Sequence, residues 1–135
     1  MNENYTRQHQ DVRVENNIQY GDVAQHIDYE YLRKNTALNL SNLANLAKAP
    51  AMPQDVKIEI KNLSNSTSLS WQQSKSGRAK GYYVLVRETT SAVWQKKIFT
   101  SAMQITLPYS KDNYLFAVQS VNESGNESLA AVPAP

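Results

Sequence analysis

Residues 104–122 read QITLPYSKDNYLFAVQSVN. Ile105 and Leu107 alternate with polar neighbours; then Pro108, Ser110, Asp112 and Asn113 break the pattern, and Tyr114, Phe116, Val118 and Ser120 resume it with the same period of two. Alternation over four to eight residues places one set of side chains on one face of an extended chain. A Pro/Ser/Asp/Asn cluster between two such runs is a turn. The stretch therefore reads as two strands joined by a corner.

Outward from that stretch the alternation continues. Val56, Ile58 and Ile60 form one run, Leu69 and Trp71 a second, and Tyr82, Val84 and Val86 a third. Val93 with Trp94 and Ile98 with Thr100 follow. Turn signals separate the runs at 62–66, 74–81, 89–91, 108–113 and 122–125. Six or seven short strands at this spacing predict an all-β sandwich over 54–135, two antiparallel sheets packed on one shared face. The predicted core holds Trp71, Tyr82, Val84, Leu107, Tyr114, Phe116 and Val118.

The residues ahead of the sandwich differ. Residues 1–27 are polar, rich in Asn and Gln, and without helical or strand period; they read as an irregular arm. Residues 28–48 predict a helix. Asp28 is an N-cap and Glu30 lies in the first turn, where the helix dipole favours an anion. Leu32, Thr36, Leu40, Leu43 and Ala47, with Leu46 beside them, make one apolar stripe with no second helix to cover it. Pro50 and Pro53 stop the helix, and residues 49–53 (APAMP) read as a stiff linker.

Composition excludes several classes. The 135 residues include no cysteine, so disulfides, thiolate metal sites and cysteine nucleophiles are absent. Net charge is +2, too balanced for a nucleic-acid footprint. No run approaches the about 18 apolar residues of a membrane span, and the first 25 residues lack the apolar core of a signal peptide. No nucleophile–base pair or metal cluster is visible, so a self-contained enzyme is not expected. Six Asn-x-Ser/Thr triplets occur at Asn4, Asn39, Asn62, Asn65, Asn122 and Asn126, a number that a chain with 13 asparagines reaches largely by chance.

Trp94 has two readings. With polar neighbours on a peripheral strand, it is either an anchor for a ligand or packing at a sheet edge or against a neighbouring domain. Lys96 and Lys97 read as charges that blunt an edge strand. Lys75, Arg78 and Lys80 around Gly77 read as a solvated basic loop.

Taken together, Leu69 with Trp71, the Tyr82-Val84-Val86-Arg87 run, Leu107 seven residues before Tyr114, and Phe116-Val118 leading to Asn122, Gly125 and Ser128 resemble the immunoglobulin-like fibronectin type III module, over residues 54–135. The resemblance implies that Trp71 fills the space between the sheets and that the Tyr114 hydroxyl is satisfied by nearby backbone. Ahead of it, Asn4 to Asp11, Tyr20-Gly21-Asp22 and Asp28-Tyr29-Glu30-Tyr31-Leu32 with its Asn/Leu/Ala helix are similar to the end of a zinc aminopeptidase domain. That family is metallopeptidase family twenty-eight, whose bacterial members include some with a C-terminal fibronectin-like domain.

The resemblance implies a C-terminal fragment of a secreted or cell-envelope hydrolase. Residues 1–48 would end the peptidase domain, 49–53 link, and 54–135 form an accessory module. His9 matches one zinc ligand, while the remaining ligands and the glutamate base have no counterpart in this chain. In such a parent a zinc-bound water attacks the N-terminal peptide bond and a glutamate takes its proton. The expected partners are the parent's peptidase body and, through it, a peptide substrate. Zinc is expected in the parent and not in the isolated chain. The other reading is a free-standing module whose sandwich binds a protein or a glycan, with Trp94 and the loops at one end as its surface.

Overall fold

A computed structural model describes residues 5–61, 64–74 and 79–134. Lys75, Gly77 and Arg78 of the basic loop, and the triplet asparagines Asn4 and Asn62, lie outside the described residues. The chain forms two compact units, Met1–Ser41 and Asn42–Pro135, and the border between them falls inside the α-helix Tyr29–Lys48.

In the first unit, β1 (Arg13–Glu15) and β2 (Ile18–Tyr20) pair antiparallel as a hairpin. The sequence reading had only an irregular arm here. The hairpin turns through Asn16 and Asn17, whose φ values are 50° and 62°. Positive φ at both central residues is the turn that matches strand twist, and asparagine tolerates it better than most residues. Gly21, at φ 102°, donates its N–H to the Thr6 carbonyl at 3.0 Å, and a Cβ there would meet Val12 Cα at 2.8 Å. A glycine is thus required where the arm crosses the hairpin.

Helix α1 spans Tyr29–Lys48. Asp28 caps it as the sequence predicts, its carboxylate accepting the Tyr31 N–H at 3.0 Å. No residue of the helix is buried. Leu40 and Leu43 of the apolar stripe are 64% and 65% exposed.

The second unit is the sandwich. Its first sheet has the order β3-β4-β7, from β3 (Gln54–Ile58), β4 (Thr67–Gln72) and β7 (Gln104–Leu107). Its second has the order β6-β5-β8, from β5 (Gly81–Glu88), β6 (Lys96–Thr100) and β8 (Tyr114–Val121). All pairings are antiparallel. The chain after β8 lies alongside it, with Ala131 N donating to Val118 O at 2.8 Å, and then reaches β3, where Ala134 N donates to Val56 O at 3.2 Å. This segment touches both sheets at one edge.

The core lies between the sheets. Val56, Leu69 and Trp71 of the first sheet, with Leu107, meet Tyr82, Val84, Val86, Phe116 and Val118 of the second. Trp71 is 4% exposed and meets Tyr82 edge-on, ring centroids 5.3 Å apart. Its indole N–H is buried without a partner among the described residues, so the ring is held by packing alone. Tyr114 packs half-buried against this core. Its ring tilts on Tyr109 at 5.1 Å, and its hydroxyl makes no hydrogen bond among the described residues, unlike the corner the resemblance implies. The corner's backbone is tied by Thr67 instead. That buried hydroxyl donates to Tyr109 O at 2.6 Å, across 42 positions of sequence.

Burial pushes the Tyr82 phenol above its usual pKa of 10.0, because desolvation penalises the phenolate. The folded state therefore holds the proton more tightly than the unfolded chain does. That contribution is complete below pH 10 and is lost as pH rises past the ordinary value towards the raised one. Tyr82→Phe removes it. Urea unfolding at about pH 8 and about pH 10.5 is expected to show a steeper loss for the wild type than for the variant, and equal losses contradict the assignment.

Candidate functional site

The exposed aromatic residues of the sandwich gather on the outer face of β6-β5-β8. Alternation along β5 points Tyr82, Val84 and Val86 into the core, so Tyr83, Leu85 and Arg87 face outward. Register places Tyr83 opposite Phe99 on β6 and Gln119 on β8. Leu85 lies opposite Lys97 and Ala117, and Arg87 opposite Leu115. The Tyr83 and Phe99 rings meet edge-on at 5.6 Å. Phe99 also crosses Gly81, where a Cβ would lie 2.7 Å from its ring, so glycine is what lets the ring lie flat on the strand.

Cations cover two of these rings. Lys97 Nζ stands 4.3 Å from the centre of Tyr83, and its ammonium also pairs with Glu127. Arg87 lies over Trp94 at 5.5 Å and donates to the Ser91 carbonyl. Leu85 is buried although it faces outward, opposite Lys97 in register and two residues from Arg87 on the same face. The strict one-face alternation expected from sequence therefore fails at the centre of this sheet.

Trp94 sits where the β5–β6 connection rejoins the ladder. Gln95 N donates to Val86 O at 3.0 Å, and the Gln95 side chain accepts the Glu88 N–H at 2.8 Å. The indole is 39% exposed, with the guanidinium across it. A groove of about 240 Å³ opens at the other end of the face, lined by Lys80, Tyr83, Phe99, Val121, Asn122, Glu123 and Gly125. Lys80 pairs with Glu123 at 3.4 Å, an exposed contact of small energetic weight. The sequence reading singled out Trp94, Lys96 and Lys97 here. It missed Tyr83 and Phe99, whose signal was an aromatic pair on the non-core parity of two neighbouring strands.

The described residues of this face offer aromatic edges and cations to a docking group.

His9 belongs to the first unit. It is exposed, at φ 56°, a backbone region in which His is enriched. Among the described residues no three His, Cys, Asp or Glu side chains gather where they could hold a metal ion. Zinc needs three or four protein ligands, so the described residues do not by themselves fit a zinc centre. His26, in a short 3-10 turn (Ala24–His26), is half-buried with Nε2 unpartnered. No helix among the described residues is long and apolar enough to cross a membrane.

The family model of the fibronectin type III domain matches residues 51–133. The chain belongs to the fibronectin type III family. Among solved structures, an Fn3-like protein from Clostridium thermocellum superposes with a TM-score of 0.52 at 19% identity, covering 63% of this chain and 88% of that one. The twitchin kinase region of C. elegans gives 0.51 at 20% identity, covering 64% and 17%. Both likenesses concern the fold. Curated relatives match further along the chain. A protein named probable zinc metalloprotease from the fungus Leptosphaeria maculans is 40% identical over 99% of this chain and 31% of its own length. A second, from Pyrenophora tritici-repentis, is 36% identical over 99% and 28%. The chain spans about three tenths of these relatives.

The two tryptophans of the fibronectin type III unit differ in what surrounds them. Trp94→Ala is expected to lower unfolding stability by about 1 kcal/mol, the scale of an exposed cation–ring contact. Trp71→Ala is expected to cost about 3–5 kcal/mol, since it empties the core. Urea denaturation of the two variants checks this; equal costs would show that Trp94 is packed as part of the core.

Proposed function

We propose that this chain is the C-terminal part of a secreted, zinc-dependent aminopeptidase-like protein, and that it is non-catalytic by itself. Residues 1–48 close the peptidase domain, residues 49–53 join, and residues 54–135 are an accessory fibronectin type III module. The observation that carries the reading is the extent of the match to the zinc metalloproteases. It takes in 99% of the chain, the residues ahead of the sandwich included, in proteins about three times as long.

A physical feature supports it. The leucines of α1 stand in solvent, and an apolar stripe of that length is stable where it covers another surface. In this reading the other zinc ligands and the base come from elsewhere in a longer polypeptide. His9 is the residue of this chain assigned to the metal, as one ligand of a set completed by the peptidase body. The partners are that body and, through it, a peptide substrate.

The test uses the full-length parent. It is expected to bind zinc and to release N-terminal residues from peptides in a chelator-sensitive way. His9→Ala is expected to cost more than about a hundredfold in activity and to lower zinc content, since a ligand counts for more than its outer partners do. Removal of residues 54–135 is expected to leave turnover in place. A parent whose zinc content and rate are unchanged by His9→Ala contradicts the assignment, and hydrolysis by the 135-residue chain alone contradicts its non-catalytic role.

A further inference from the structure

Helix α1 ends in an unusual way for its sequence. The last carbonyls of a helix have no partners within it, and a glycine just past the end commonly turns the chain so that backbone N–H groups meet them. Here Ala49 follows Lys48, and then Pro50, which has no N–H to give. Ala49 N reaches Leu46 O at 3.2 Å. The Lys48 carbonyl is met from far away in sequence, by Asn122 Nδ2 at 2.9 Å.

Asn122 is itself held. It opens the turn that follows β8, where Gly125, at φ 80°, donates its N–H to Asn122 O at 3.0 Å. Asn126 N donates to Asn122 Oδ1 at 2.9 Å, and Asn122 N to Asn126 O at 3.1 Å. Within the same turn, the Asn126 side chain donates to Asn45 Oδ1 at 2.8 Å, 81 positions upstream. The two asparagines thus face the last helical turn with their amides already oriented. Pro50 and Pro53 are buried at this junction, while Leu46, Met52 and Leu129 are exposed around an open groove of about 440 Å³.

We propose that the Asn122–Asn126 turn is a clamp that caps the C-terminal end of α1 and makes the last helical turn and the sandwich one rigid piece, so that residues 49–53 do not act as a hinge. The module is then held rather than tethered. This deepens the accessory-module reading only in what the clamp serves; the clamp itself is a property of residues 42–134.

Asn45→Ala gives a test with opposed signs. Alanine is the better helix former, so helix propensity alone predicts a tighter last turn. The clamp predicts a looser one. Amide hydrogen exchange in the full 135-residue chain reads the difference. The amides of residues 46–49 are expected to exchange roughly five- to tenfold faster in Asn45→Ala, the scale of one lost hydrogen bond. Those of Val84 and Val118 are expected to stay unchanged, which shows the sandwich intact. Asn122→Ala, which removes the cap on Lys48, is expected to do the same with a larger effect. Slower or unchanged exchange at 46–49 in Asn45→Ala overturns the clamp, as does fast exchange there in the wild type. Neither result touches the metallopeptidase reading, and a parent without zinc-dependent activity would leave the exchange result standing.

Discussion

The contact on which everything else rests is the apolar layer between the two sheets, centred on Trp71, Tyr82 and Phe116. Neither three-stranded sheet has a second apolar partner among the described residues. Each is stable because the other covers its inward face. Phe116, Val84 and Val118 are almost fully enclosed, and burying a side chain of that kind contributes about 2–3 kcal/mol. Once that layer forms, the register of β5 between β6 and β8 is fixed, because a one-residue slip would turn Tyr82, Val84 and Val86 out of it. The same register decides which residues face outward. Tyr83, Arg87, Lys97 and Phe99 form a surface because their neighbours form a core.

Among the described residues, the first unit has no such layer. Its hairpin strands are three residues long and its helix buries nothing. Local features hold it together: the Asp28 cap, the Asn16–Asn17 turn, the Gly21 crossing and the Arg13 guanidinium over the Tyr20 ring at 4.2 Å. Such features are each of modest size, and helices gain most of their stability from packing. The proposed function accounts for this by making the segment part of a larger domain whose surface the helix covers.

Much of this was legible in the sequence. Alternation marked the six strands of the sandwich, but the Val93–Trp94 run lies in the β5–β6 connection and Ile60 beyond the end of β3; Asp28 with Pro50 bracketed the helix to within a residue at its start. The hairpin was not legible, because three-residue strands carry no period and its turn is Asn-Asn rather than Asn-Gly. The burial of Leu85 on the outer face was not legible, because alternation marks only the set of residues on the inward face. The Tyr114 corner followed family expectation in place and not in bonding, since the Thr67 hydroxyl takes the role that the tyrosine was given. The clamp could not be read at all. Its partners are separated by 74 and 81 positions, and one acceptor is a backbone carbonyl with no sequence signature.

The central claim is that one unit carries its own core and the other borrows one. Hydrogen exchange of the isolated 135-residue chain, resolved by residue, tests it most directly. The account predicts strong protection across β4, β5 and β8, with residues 5–41 exchanging close to the rate of an unfolded chain. Protection of residues 5–41 as strong as that of the sandwich would contradict it, because that segment would then be stable without a larger body to cover its leucines.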